Sequence, residues 1–140
     1  MKKYEFFEHT ADIGVRVWAH NEEEFFVNCA DALFKLMVNK KEEGKYREEE
    51  INLEAESLEE LLVNWLNELI SIFFVCSFLP VEYKVKLEEK PLRLYAQLKG
   101  GEFNPYQRKI NTEIKAATYH NLKIEKDDKG ILKGEVIFDV

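Results

Sequence analysis

Apolar residues recur at two periods along the chain, and the change from one to the other marks out its elements. In NEEEFFVNCADALFKLM (21–37), Phe25, Cys29, Leu33 and Met37 fall one helical turn apart, with Phe26, Ala30 and Phe34 beside them. That spacing predicts a helix with one buried face. Asn21 offers a side-chain cap, and Glu24 stands three residues on, where a cap is reinforced. SLEELLVNWLNELISIFF (57–74) has the same grammar: Ser57 and Glu60 form a capping box ahead of a stripe of Leu61, Leu62, Trp65, Leu66, Leu69, Ile72 and Phe73.

The two helical segments superimpose at an offset of 36 residues. Asn21 falls on Ser57, Glu24 on Glu60, FFVN on LLVN, and Leu33 on Leu69. A short strand precedes each, GVRVWA (14–19) and EINLEA (50–55). The pattern predicts two related strand–helix units.

After the second helix the period falls to two. VEYKVKLE (81–88) places Val81, Tyr83, Val85 and Leu87 on one face and charged residues on the other. LRLYAQL (92–98) answers it across a short EEKP connection. GGEFNPYQRKIN (100–111) reads as a polar loop, and EIKAATYH (113–120) and HNLKIE (120–125) as extended chain. DDKG (127–130) is a hairpin turn, and ILKGEVIFDV (131–140) closes the chain as a strand. Two helices with many antiparallel strands predict an α+β fold, the helices packed on the faces of antiparallel or mixed sheet. With 140 residues and no linker, 1–140 is expected to be a single domain.

Charge narrows the function. A net charge of -7 argues against binding driven by nucleic-acid phosphates. MKKYEFFEH lacks the apolar segment of a signal peptide, and the longest apolar run, ISIFFVCSFLP (70–80), is too short to span a bilayer. The expected location is the cytoplasm, with no membrane partner. Cys29 and Cys76 lack zinc spacing and read as reduced core thiols. His9, His20 and His120 have no ligand spacing and read as satisfied polar or half-buried residues. No phosphate-binding loop, GxSxG or HExxH is present.

Three polar features fit the pattern poorly. HTADIG (9–14) lies between apolar strands; it is either a plain turn or a compact acidic turn that aims Asp12 at a site. Lys115 sits among small alanines; it either snorkels at the surface or reaches a carboxylate or anionic partner. Asp139 shares a strand face with Ile137 and is followed by the α-carboxylate of Val140. Like charges held close favour protonation or a cation. Oxygen donors alone select a hard ion, calcium or magnesium, over zinc, with waters or carbonyls completing the shell. A frayed, solvated chain end is the other reading. The residues alone thus yield an acidic α+β domain with a candidate hard-cation site.

HTADIG, ADALFKLM, LLVNWLNELI, KGGEFNP, EIKAATYH and VIFDV stand in the order found in the archease family, which the chain resembles over essentially its whole length. The resemblance implies a strand–helix–strand–strand unit inserted into a related unit. It implies a protein cofactor rather than an enzyme. Its partner would be the RtcB-type RNA ligase of tRNA splicing, which joins 2′,3′-cyclic-phosphate or 3′-phosphate ends to 5′-hydroxyl ends. The cofactor would promote ligase guanylylation with GTP and Mn2+, multiple turnover and broadened nucleotide use, meeting tRNA only indirectly. It implies a calcium ion on Asp12, Asp139 and the main-chain oxygens of Val140, with Lys115 as the functional lysine. Two features depart from the family pattern. FNPYQR stands where many members read FDPERH, so Asn104 and Arg108 carry no implied role, and Leu132 and Lys133 stand where many carry Trp. The alternatives are a metal-dependent hydrolase, with Asp12 and Asp139 activating water, and a chaperone-like module for RNA-processing proteins.

Overall fold

The computed structural model describes residues 2–38 and 46–140; the expectation for His9 concerns a side chain outside that description. The first two strands, β1 (Tyr4–His9) and β2 (Asp12–Ala19), precede helix α1 (Glu22–Met37). Then follow β3 (Tyr46–Ala55), helix α2 (Leu58–Cys76), β4 (Phe78–Glu88) and β5 (Leu92–Glu102). Two short strands, β6 (Ala116–Thr118) and β7 (Ile124–Lys126), lead to β8 (Leu132–Asp139).

The strands form two antiparallel sheets, one ordered β3-β5-β4 and the other β1-β2-β8-β6 with β7 also on β8. In each, the last strand of a unit is central. It is flanked by the strand before the helix and the strand after it: β3–β5–β4 and β2–β8–β6. The contiguous unit β3-α2-β4-β5 is inserted between α1 and β6 of the other. The 36-residue repeat is therefore a repeat of topology, nested rather than tandem.

Both predicted caps form. Asn21 Oδ1 accepts the Glu24 N–H at 2.8 Å, and Ser57 Oγ accepts the Glu60 N–H at 3.1 Å. The Glu60 carboxylate accepts from Glu56 N–H at 3.3 Å, one residue ahead of the cap. Each helix touches both sheets, α1 packing on β2 and β4, α2 on β3 and β6. This two-sided contact gives buried faces wider than a single stripe; in α1 it takes in Asn28, whose Nδ2 donates to the Trp18 carbonyl at 2.9 Å. Trp65, fully buried on α2, donates to the Phe26 carbonyl on α1 at 3.0 Å and ties the two repeats together.

Several segments differ from the sequence expectation. Helix α2 ends at Ser77, in the left-handed region (φ 52), so the chain turns straight into β4 at Phe78. A bulge between Pro80 and Glu82 interrupts the pairing register there. Gly100 and Gly101 belong to β5, not to a loop: a Cβ on Gly100 would lie 2.0 Å from the Leu79 carbonyl oxygen. EIKAATYH is not one strand. Ile114 and Ala117 are both buried, three residues apart, and only 116–118 pair with β8. A turn closed by the Leu122 N–H on the Tyr119 carbonyl at 3.0 Å then separates β6 from β7 along the same edge. Cys29 is buried, but Cys76 is exposed and is no core thiol. His20 and His120 are exposed, which removes the half-buried reading and leaves that of satisfied polar residues.

Candidate functional site

The β1–β2 hairpin pairs His9 with Asp12, which leaves Thr10 and Ala11 as its two-residue turn, Ala11 at φ 60. Asp12 is accordingly the first residue of β2 rather than part of a compact acidic turn. Gly14 lies inside the strand beneath the Phe7 ring, where an added Cβ would come within 2.2 Å of ring carbon Cζ. This glycine permits close approach and makes no turn.

Strand β8 carries its end between two neighbours. On one side Ile13 pairs with Phe138, and the antiparallel register one step on brings Asp12 alongside Asp139. Directly opposed residues of such a ladder share a face, with Cβ atoms about 4.5–5.5 Å apart. On the other side Ala116 pairs with Asp139, and the Lys115 N–H donates to the Asp139 carbonyl at 2.8 Å. The fold thus gathers Asp12, Lys115 and the Asp139–Val140 chain end, three segments far apart in sequence, at one end of the central strand. Asp12 is half-buried, Asp139 and Lys115 are exposed, and Val140 is 37% exposed. Val136 and Phe138 point into the core, while Ile137 is buried on the same face as Asp139.

That face continues away from Asp12 as a charged lattice. Arg16 bridges three strands, contacting the carboxylates of Glu5 on β1 and Glu135 on β8, with its guanidinium 4.4 Å from the Phe7 ring centroid. Lys2 and Arg16 hold the Glu5 carboxyl below its ordinary range. Further along, Lys133 lies 5.9 Å over Trp18.

The sequence reading missed one residue of this region. Asn67 on α2 accepts the Ala117 N–H at 2.8 Å and donates to the Ala117 carbonyl at 3.4 Å. Its signal was an asparagine, a weak helix former that competes for backbone partners, in a helix interior. Asn104 and Arg108 have local contacts instead. Asn104 Oδ1 accepts the Tyr106 N–H at 2.9 Å, and Arg108 lies 4.8 Å over the Phe103 ring.

The donor set at the tip is entirely oxygen, which suits a hard cation. Among the described residues, no three His, Cys, Asp or Glu side chains cluster as metal ligands. An ion there would be held by the Asp12 and Asp139 carboxylates, main-chain oxygens of Val140 and water, and the exposure of the tip admits that water. Among the described residues, open clefts of about 350, 390 and 450 Å³ lie on the outer face of the β3–β5–β4 sheet. None of these is lined by Asp12, Asp139 or Lys115. No described helix is long and apolar enough to cross a membrane.

Residues 4–140 match the model of the Archease protein family (MTH1598/TM1083). The chain is 38% identical over 142 residues to protein archease of Pyrococcus abyssi, covering 100% of both sequences. It is 37% identical over 125 residues to protein archease of Sulfurisphaera tokodaii, covering 89% of this chain and 90% of the relative. Among solved structures, it resembles the solution structure of Methanobacterium thermoautotrophicum protein 1598, with TM-score 0.77, 35% identity and 100% of both chains covered. It also resembles the crystal structure of an archease, described as a possible chaperone, from Thermotoga maritima. There the TM-score is 0.66 at 29% identity, over 96% of this chain and 94% of the other.

Proposed function

The chain belongs to the archease family, and from that premise we propose that it is a protein cofactor which activates an RtcB-type RNA ligase in tRNA splicing. The observation that carries this reading is the convergence of Asp12, Asp139 and the Lys115 backbone at the end of β8. Asp12, Asp139 and the main-chain oxygens of Val140 hold a hard cation, calcium, at the tip of what we read as one domain. Bound there, the ion supplies positive charge and open coordination positions to a partner. Lys115, exposed at the same end, pairs with a ligase carboxylate or a nucleotide phosphate.

Activation on this reading is a population shift. The tip binds the nucleotide-competent state of the ligase better than its resting state, favouring guanylylation, turnover and wider nucleotide use. The cofactor performs no chemistry of its own. With a net charge of -7 it reaches tRNA through the ligase, in the cytoplasm, rather than by its own phosphate contacts.

The test is RNA ligation at limiting RtcB-type ligase, with and without this protein. The native chain should turn a single round of joining into many. Asp139→Ala and Lys115→Ala should lose most of that gain while melting within a few degrees of the native protein. Calcium should raise the melting temperature of the native chain but not of Asp139→Ala. Ligation unchanged by the native protein overturns the reading.

The description of the Thermotoga maritima relative as a possible chaperone favours a second reading, a chaperone-like module for RNA-processing proteins. It predicts protection of several clients from aggregation without dependence on one ligase. A metal-dependent hydrolase built on Asp12 and Asp139 predicts phosphoester turnover by the chain alone.

A further inference from the structure

Strand β6 is three residues long and forms the edge of its sheet, yet Lys115 directly precedes it and its first residue pairs with Asp139. A strand that short has few ladder bonds to hold it. In an antiparallel ladder alternate residues turn their N–H and C=O away from the neighbouring strand. Ala117 does so here, and α2 meets both groups with a single carboxamide: Asn67 accepts from the Ala117 N–H at 2.8 Å and donates to its carbonyl at 3.4 Å. Asn67 thus occupies the place of a missing strand.

The neighbouring bonds complete a chain of contacts. Thr118 Oγ1 donates to the Ile137 carbonyl at 2.9 Å, and Lys115 N–H donates to the Asp139 carbonyl at 2.8 Å. Ile114 and Ala117 are buried, whereas Lys115 between them is exposed. Burial of Ile114 restrains this segment, but the small alanines that follow supply little further shape to key into. The carboxamide, which recognises one donor and one acceptor at a fixed spacing, sets the register.

We propose that Asn67 is a positioning residue: its paired hydrogen bonds to Ala117 hold β6 in register on β8 and thereby place Lys115 against Asp139. The functional consequence rests on the ligase-activation reading; the structural claim does not.

Amide hydrogen exchange on the full chain tests it residue by residue, with Leu33 of α1 as internal reference. In Asn67→Ala, the Lys115 and Ala117 amides should lose protection by about tenfold or more relative to Leu33, the scale of lost buried hydrogen bonds. Asn67→Asp keeps the acceptor for the Ala117 N–H and loses the donor to its carbonyl. Its protection should recover as pH falls and the new carboxyl, once protonated, regains a donor. Recovery confined to the Lys115 and Ala117 amides marks the restored bond, whereas relief of a buried charge at a merely space-filling position would raise protection at Leu33 as well. If Asn67→Ala leaves Lys115 exchange unchanged relative to Leu33, or if Asn67→Asp shows no recovery on acidification, the assignment is wrong. Should Asn67→Ala fail to fold, the Asn67→Asp titration decides alone. Ligation assayed in parallel separates the two claims: altered exchange with no activation by the native protein removes the ligase reading and leaves Asn67 as positioned.

Discussion

Gly14→Ala should destabilise the protein in the native background and stabilise it once Phe7 is removed. In the folded chain the new Cβ would lie 2.2, 2.4 and 2.6 Å from three ring atoms of Phe7. The ring must swing away, losing its place over Gly14 and its contact with Arg16, now 4.4 Å from its centroid. Forced overpacking of this kind costs about 1–3 kcal/mol, and the cation–π contact adds about 0.5–1 kcal/mol at an exposed site. Against this stands the entropy lost by the unfolded chain. Gly14 is not among the described residues with positive φ, so alanine is unstrained there and should contribute about 0.5–1 kcal/mol of stability. The net is a loss of roughly 1–3 kcal/mol. In Phe7→Ala the clash is gone and only the entropic gain remains, so the same substitution changes sign. Urea unfolding of the native chain, both single variants and the double variant closes the cycle. Equal destabilisation by Gly14→Ala in both backgrounds would refute the account, because Phe7 would then not be the reason for the glycine. A positive outcome would also show what braces β2 two residues from Asp12.

Other consequences can be measured independently. Gly100→Ala meets backbone rather than a movable ring, at 2.0 Å from the Leu79 carbonyl oxygen, and should cost about 3 kcal/mol or more in urea unfolding. Burial, then the hydrogen bond and charge of Asp31, push the Tyr4 hydroxyl up to about 12. Burial likewise raises Tyr83 well above its ordinary value. The unfolded chain releases these protons near pH 10 while the folded chain keeps them. Stability should therefore be full below about pH 10 and fall as pH rises toward 12, read as melting temperature against pH. Asp31→Asn should bring the Tyr4 titration, followed by ultraviolet absorbance, back toward its ordinary range. Cys29 should stay unreactive to a thiol reagent under native conditions, since burial raises its pKa, while exposed Cys76 reacts at once.

Much of the architecture was legible because it rests on local periodicity. The helices, their caps at Asn21 and Ser57, and the 36-residue repeat follow from spacing that no tertiary contact needs to explain. Strand ends were less legible. Bulges, tight glycine packing and the broken β6–β7 edge arise where the chain meets partners remote in sequence, and alternation along one strand carries no record of them. The candidate site divides in the same way. Asp12, Lys115 and Asp139 stood out as polar residues in apolar or small surroundings, while Asn67 was hidden inside a helix pattern that its neighbours already explained.

The sequence by itself determined which segments are helical, which alternate, that two units share one plan, and which polar residues break that plan. Only the tertiary structure decided that the units nest, so that β8 becomes a central strand with β2 and β6 on either side. Pairing register is the physical reason. It depends on which strands meet and at which residue, and a shift of one residue would turn Asp139 to the opposite face.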